Sequence, residues 1–476
     1  MFTCIVGMKP AFIDEIVTEH QPGQMCDING RVSAVRRHGN LVFLDITDHT
    51  GKLQVVVEKN GNDAIHERTT DITVGSYISA TGEYRRNRRG DPEINATDLD
   101  VLAHAMPNVS PSPWEIDGLD PKHGKQVFDF PSIYVANPQR AAVLRIKTNF
   151  VTALHEYLHS QRFTLVEPPI ITNKTLYSVD NAVHAKIHGE DVFLSQCATF
   201  ELEPLALAFG KVYTISPAFR NENSGSKRHL GEYTHAKAEV MLADIDDLML
   251  LAGESLYHSL KATVEKSERE LTLLGKEIDF ERIHPSRHVH MTYDEALKVT
   301  RARGSDTEYG SGLTRADELI LTKYVGDQYL WMQFPPFASE GFPYRRKTDQ
   351  PHLSMTCDLI APHGAGEMVG VAEKTTSAEE LVRNLVEKGK GDQLGQYWDY
   401  IVMRRYGLPP HGGMGAAPER IIYGLLGLDH IRLTKPWPVY PDRRVAPAYA
   451  DDGSLPTWGD PELERIVTNY NPRPRR

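Results

Sequence analysis

Cysteine is scarce. The 476 residues carry four, Cys4, Cys26, Cys197 and Cys357, far apart and in no CxxC pair. That spacing excludes a disulfide framework and a zinc ribbon and fits a reducing compartment, so a cytoplasmic location is expected. Long apolar runs are missing too. No stretch approaches the ~18 apolar residues that span a bilayer, and the opening MFTCIVGMKPAFIDEI lacks a signal-peptide core. No membrane partner is expected. Nor is there an excess of positive charge: the net charge is −11. Any contact with nucleic acid must therefore come from local basic patches. What remains is ordinary globular composition, 40% hydrophobic and 25% charged, in a chain long enough for two or three domains with cores of their own.

The chain's organisation follows from its periodicities. After an N-terminal segment, 1–23, residues 24–104 read as short strands. Runs at 30–35, 41–47 and 53–58 alternate or stay apolar, separated by the turn-like RRHGN and DHTG. Strands at that spacing predict a small β-barrel. Residues 105–136 are rich in Pro, Ser and Gly without a period, and read as a linker. Asn137-Pro138 then supplies a helix start, a capping side chain followed by a proline whose missing donor costs nothing there. Val143, Ile146, Phe150, Leu154 and Leu158 recur at three- and four-residue steps, predicting one apolar face on a long helix. The final segment, 439–476, ends in the basic NPRPRR and reads as a solvated or docking extension.

The stretch 219–239, FRNENSGSKRHLGEYTHAKAE, concentrates chemistry. It holds Arg220, Lys227, Arg228 and Lys237 with two histidines in a hairpin-like segment. KVYTIS leads in, and Ser224-Gly225 gives a turn signal. Arginines offer paired donors to phosphate oxygens and a flat face for stacking, so a nucleoside triphosphate suits this segment. Further on, SMTCDLIAPHGAGE sets Asp358 and Glu367 across a glycine-bearing turn. Two carboxylates facing a triphosphate are natural Mg²⁺ ligands. HGGMGAAPERIIYGLLGLDHIR, 411–432, is a glycine-rich strand running into a helix, where backbone can approach a nucleotide. One competing signal is His155-Glu156-Tyr157-Leu158-His159, an HExxH that can hold zinc in a peptidase. It lacks a flanking third ligand, and its leucines continue the apolar stripe.

The order FRxE, loop, RHxxE[FY] resembles motif 2 of the class II aminoacyl-tRNA synthetases, in the aspartyl/asparaginyl/lysyl subgroup. Residues 411–432 resemble motif 3, with Ala417 where a glycine is usual. The helix from Asn137, the strand FTLVEPPIIT and Pro169 resemble motif 1. GRVSAVRRHGNLVFLDITDHTGKLQVVVE resembles the OB-fold anticodon-binding domain of the aspartyl and asparaginyl members. The resemblance implies an α+β fold: an N-terminal OB barrel, then a catalytic domain at 137–438 with an antiparallel sheet flanked by helices. Residues 244–350 read as an insertion in it.

The resemblance also implies roles. Arg220 would clamp the α-phosphate and the substrate carboxylate, Glu222 would sit near the adenine amino group, and Arg228 and His229 would meet the outer phosphates. Tyr233 would stack on the base and Arg420 would cover it. Asp358 and Glu367 would hold Mg²⁺ on ATP. Ala198, Thr199, Glu203 and Lys374 would line the amino-acid pocket, with Asp180 in the mobile loop 172–192 meeting the ammonium. Arg36, Phe43 and Gln54 would read the middle anticodon base of a tRNA, Phe43 by stacking and the other two by hydrogen bonds. Leu202 stands where aspartyl members carry a lysine, so asparagine is the expected substrate, and motif 1 implies a homodimer.

The departures cluster. Thr199 replaces a usual glutamine, Glu373 interrupts a usual pattern, and Lys374 replaces an arginine; all fall near the predicted amino-acid side chain. An alternative reading is therefore a paralogue that activates another amino acid, or passes the adenylate to a small acceptor. A catalytically silent RNA-binding protein is the non-enzyme alternative.

Overall fold

The computed structural model describes residues 11–59, 63–105, 112–222, 226–440 and Arg465. Cys4, the Ser224-Gly225 turn signal and the basic C-terminal end fall outside them. The chain parts into two compact units at Ile116 and Asp117.

The first unit is a closed barrel of five strands, β1 (Met25–His38), β2 (Leu41–Thr47), β3 (Lys52–Glu58), β4 (Tyr77–Arg86) and β5 (Pro92–Ala103), in the order β1-β2-β3-β5-β4. Alternation explains it. Ile28, Val32, Val42, Leu44, Val55, Val57, Ile78 and Ile94 point inward and are buried. Each contributes roughly 1.5–3 kcal/mol of apolar burial, while their polar neighbours face outward. The short helix Ile13–Glu19 lays Ile13 and Ile16 on the same core.

In the second unit the short helices Gly124–Asp129 and Pro131–Tyr134 precede the long helix Pro138–Ser160, capped by Asn137, whose side chain accepts from the backbone N–H of Gln139 and Arg140. Its predicted stripe, Val143, Ile146, Phe150, Leu154 and Leu158, is buried. The HExxH motif divides across its surface: His155 meets the Tyr213 hydroxyl at 3.0 Å, and exposed Glu156 pairs with Lys266 at 2.9 Å.

The helix packs on an eight-stranded sheet of β6 (Thr164–Leu165), β10 (Lys211–Phe219), β11 (Glu232–Met241), β12 (Val289–Thr292), β13 (Leu330–Gln333), β14 (Thr356–Ala361), β15 (Gly366–Glu373) and β16 (His411–Ala416). The spatial order is β12-β13-β14-β15-β16-β11-β10-β6. Pairing is antiparallel throughout the middle and parallel only at the two outer pairs. A three-stranded sheet, β7 (Ile171–Thr172), β9 (Glu190–Leu194) and β8 (Val183–Ile187), stands apart. The stretch expected as an insertion, 244–350, supplies β12 and β13 to the main sheet. It also supplies the helix Ile245–Lys266, closed by an Asp244/Asp247 capping box.

That helix and the helix Pro138–Ser160 cover one face of the sheet. Ala236, Ala238 and Val240 of β11, Val369 and Val371 of β15 and Met414 of β16 point into this core. By the two-residue period, Tyr233, His235, Lys237 and Glu239 point to the other face. The fold is thus α+β, and the polar face of the sheet carries the candidate site. No helix among the described residues is long and apolar enough to cross a membrane.

Candidate active site

One cleft on that face is lined by Arg220, Glu222, Arg228, His229, Tyr233, His235, Glu367, Gly415 and Arg420, among others. The β10–β11 hairpin brings Arg220 beside Tyr233. The Arg220 guanidinium lies between two rings, 5.4 Å from the centre of Tyr177 and 5.3 Å from that of Tyr233. Glu222 lies 3.4 Å from it. Arg228 pairs with Glu318, while Arg420 donates to the Arg228 carbonyl at 3.2 Å and the Glu367 carbonyl at 3.4 Å. Arg220, Arg228 and Arg420 each keep a buried Nε–H with no acceptor among the described residues. Three guanidinium groups lining one cleft suit a polyanion. His229 is held below its ordinary value by burial and by Arg420 beside it. Glu419 anchors the floor, accepting from Thr234 N–H at 3.0 Å and Lys147 at 3.1 Å.

Asp358 and Glu367 converge. They stand on adjacent strands, β14 and β15, and a bulge after Leu359 pairs Ile360 with Glu367 instead of Met368. That shift turns Glu367 to the face of Asp358. A Cβ built at Gly370 would meet Asp358 Oδ1 at 3.0 Å and Glu367 Oε1 at 3.1 Å, so glycine keeps the cradle open. Burial and the like charges of Glu367 and Glu340 push the Asp358 carboxyl well above its usual range. Burial and Glu367 likewise bring Glu340 to about 7. Hard carboxylate oxygens held together against their own repulsion fit a divalent cation such as Mg²⁺. Another trio of ligating side chains, Glu203, Glu239 and His411, lies deeper in the unit. There Glu203 is already bound by Arg404.

The expected amino-acid residues divide. Thr199 is fully buried and accepts a hydrogen bond from Lys237. Cys197 stands 3.1 Å from both Lys237 Nζ and Thr199 Oγ1. Burial alone would raise the Cys197 thiol, but the Lys237 charge brings it well below its ordinary value. Ala198 caps the helix Thr199–Phe209. Glu203 lies behind the pocket wall: Arg404 at 2.9 Å, His411 at 3.1 Å and the Tyr400 hydroxyl occupy its oxygens. Lys374 is buried with Nζ 4.4 Å from the Tyr344 ring centre. Glu373, expected beside the substrate, belongs to the opposite face. It shares the orientation of Val369 and Val371, accepts from Ile245 N–H at 3.0 Å and pairs with Arg345 at 2.6 Å. Asp180 is exposed on a short turn. Its neighbour Asn181 accepts from Asn221 N–H at 2.9 Å, tying that loop to the arginine hairpin.

On the barrel, Arg36 pairs with Phe43 and Asp45 with Gln54 across β1, β2 and β3. All four side chains therefore share one outer face. Phe43 is half-buried and outside the barrel core. Asp45 holds Arg36 in a fork at 2.7 and 3.1 Å and takes Lys52 at 2.7 Å. Burial opposes its charge, yet hydrogen bonds from Arg36 and Lys52 keep the carboxyl below its usual range.

Sequence reasoning missed Asp45, Glu318, Glu340, Tyr177, Glu239 and Arg404, and took Lys237 only as one of the hairpin's cations. For Lys237 and Glu239 the signal was available: they continue the alternation of Tyr233 and His235. Asp45 likewise lies two residues after Phe43 on β2; the others arrive from distant segments, with no local pattern to mark them.

A phosphate-ready arginine cleft on this sheet, in a chain that also carries an OB barrel, defines a nucleotide-dependent ligase of the aminoacyl-tRNA synthetase class. The chain belongs to the class II tRNA synthetases (D, K and N), whose family model matches residues 126–441; an OB-fold nucleic acid binding domain matches 27–102. The asparagine–tRNA ligase of Koribacter versatilis is 30% identical over 426 residues, covering 87% of this chain and 94% of that one. That of Desulforamulus reducens is 30% identical over 424 residues, covering 87% and 96%. Among solved structures, asparaginyl-tRNA synthetase from Pyrococcus horikoshii complexed with asparaginyl-adenylate superposes with a TM-score of 0.86 at 26% identity, over 92% of this chain and 99% of that one.

Proposed function

We propose that the chain is a cytoplasmic asparagine–tRNA ligase: asparagine and ATP give asparaginyl-adenylate, and the acyl group then passes to a tRNA. The observation that carries the chemistry is the convergence of the Arg220, Arg228 and Arg420 side chains on one cleft. The asparagine ligases that align along nearly their whole length support the amino acid.

In the first step a carboxylate oxygen of asparagine attacks the α-phosphorus of ATP. The bond to the bridging oxygen breaks and pyrophosphate leaves. Arg220, fixed between its two tyrosines, aligns the carboxylate with the α-phosphate. Arg228 and Arg420 take the charge that develops on the leaving group, and Tyr233 carries the base beside Glu222. Such alignment and charge stabilisation supply most of the catalysis, because little proton transfer is needed. Mg²⁺, held by Asp358 and Glu367, would neutralise the triphosphate. In the second step a ribose hydroxyl at the tRNA 3′ end attacks the acyl carbon and AMP leaves.

The barrel, 24–104, reads the anticodon through Phe43, Arg36 and Gln54. The helix Pro138–Ser160 and the strand after it form a homodimer contact, which the exposed Leu165, Ile170 and Ile171 support; light scattering at twice 53.5 kDa is the expected result. ATP–pyrophosphate exchange against each standard amino acid, followed by tRNA charging, tests the whole reading. Exchange with asparagine and charging of its tRNA is expected. Exchange only with another amino acid, or adenylate formation without charging, would overturn it.

A further inference from the structure

The ladder between β10 and β11 ends where Phe219 pairs with Glu232. Arg220 and Arg228 lie beyond that pair, so sheet hydrogen bonds alone do not fix them. Residues 431–440 supply the rest. Gly231 sits at the junction: its carbonyl accepts from Arg220 N–H at 2.9 Å, and its own N–H donates to the Val439 carbonyl at 2.8 Å. A Cβ at Gly231 would meet Val439 Cγ1 at 3.0 Å, so glycine lets the two backbones close. On either side, Ile431 N–H donates to the Lys227 carbonyl at 3.0 Å, and Lys435 reaches the Glu232 carboxylate at 3.2 Å. The segment thus lies along the return arm of the hairpin as a strap.

Arg140 fastens the strap from behind. It is 1% exposed, and its guanidinium donates to the Leu433 carbonyl at 2.9 Å and the Lys435 carbonyl at 3.0 Å. No carboxylate among the described residues pairs with it, and burial brings it down to about 10. It rests 5.4 Å from the centre of the Phe128 ring, which meets the Tyr440 ring edge-on at 6.3 Å. A buried guanidinium without a counter-ion is a costly way to fill space, and a hydrocarbon of similar volume would pack there more cheaply. What the guanidinium adds is direction: its fork holds both carbonyls at once. The contacts run from Arg140 through the strap to Gly231, and from Gly231 to Arg220.

We infer that Arg140 is a positioning residue for adenylate formation: through the strap 431–440 it sets where Gly231, and with it Arg220, stands. This rests on the reading of the chain as an amino-acid-activating ligase. Arg140 does not line the cleft; it acts through the backbone that carries the clamp. Arg220 aligns the two reacting groups, so its displacement registers in the chemical step more than in ground-state binding. A misplacement of about 1 Å can cost about 100-fold in rate.

The test compares full-length wild type with Arg140→Met in ATP–pyrophosphate exchange, at a temperature where circular dichroism shows both folded. The exchange kcat should fall about 10- to 100-fold, with the KM for ATP within about threefold of the wild type. Arg140→Lys, which keeps donors for both carbonyls, should recover most of the rate. Deuterium uptake over the peptide 227–233 reads the same link without the reaction: in Arg140→Met the Gly231 N–H should exchange about tenfold faster. A folded Arg140→Met with the wild-type kcat, or with wild-type uptake over that peptide, overturns the inference. If Arg140→Met does not fold, Gly231→Ala serves. It should lower kcat about tenfold or more, and adding Val439→Ala, which removes the atom the new methyl meets, should return most of the rate. Gly231→Ala at full rate, or a double variant no faster than the single one, overturns the inference. The reading of the chain as a ligase fails separately, by absence of exchange with any amino acid in the wild type, and deuterium uptake still decides the link.

Discussion

Replacing Arg404 by Met tests whether Glu203 supports the pocket or touches substrate. Arg404 and Glu203 are both fully buried at the side chain, 2.9 Å apart. Arg404 also donates to the carbonyls of Thr375 at 2.9 Å and Tyr400 at 2.7 Å. Arg404→Met leaves Glu203 ionised and buried with only His411 and Tyr400. Breaking a buried pair from one side costs about 3–5 kcal/mol. At roughly 2–4 °C per kcal/mol for domains of moderate size, and less for larger ones, the catalytic unit should melt about 4–10 °C lower. Glu203→Gln together with Arg404→Met removes both charges while Gln still serves His411 and Tyr400, so most of the loss should return. The decisive assay is ATP–pyrophosphate exchange in the double variant. A supporting residue predicts a KM for asparagine within about threefold of the wild type. A KM raised about 100-fold in a variant of recovered stability, equivalent to about 2.7 kcal/mol of lost binding, would refute the placement of Glu203 behind the wall. An Arg404→Met variant as stable as the wild type would refute the energetic argument itself.

Three further outcomes are expected. Gly370→Val should crowd Asp358 and Glu367 apart, lowering exchange kcat about 100-fold and raising the Mg²⁺ concentration for half-activity, with the melting temperature little changed. Phe43→Ala should raise the KM for tRNA in charging about 10- to 100-fold, since stacking on one base is worth about 1–3 kcal/mol, while tRNA-independent exchange stays as it was. Stability should also fall in acid. Burial would raise Glu203, but Arg404 and His411 hold it at about 2 against an ordinary 4.5. A depressed carboxylate contributes fully above the unfolded value and loses that contribution as pH falls from about 4.5 towards 2. Thermal melts across that range should therefore decline more steeply in the wild type than in the Glu203→Gln, Arg404→Met double variant.

How legible each part was follows from where its determinants lie. The barrel strands were readable because each alternates on its own, and β2 coincides with the predicted run at 41–47. The helix Pro138–Ser160 was readable from its cap and stripe. Strands β12 and β13 were not: each has four residues, and a run such as Leu330–Gln333 has no period long enough to separate strand from helix. The arginine cleft was legible because its arginines sit in two short segments whose local order carries the pattern. The buried cluster around Thr199, Lys237, Tyr344 and Lys374 draws on four separate segments, so no single segment displays it. Parity could have corrected one expectation there. Val369 and Val371 are apolar and one residue out of step with Gly370 and Lys374, so Glu373 has to share their core-facing side, where it receives the N-terminus of the helix Ile245–Lys266. The same parity carries the line Tyr233, His235, Lys237, Glu239 along the opposite face of the sheet. A substitution at Glu373 should therefore register in stability, where it removes the partner of Ile245 N–H and Arg345.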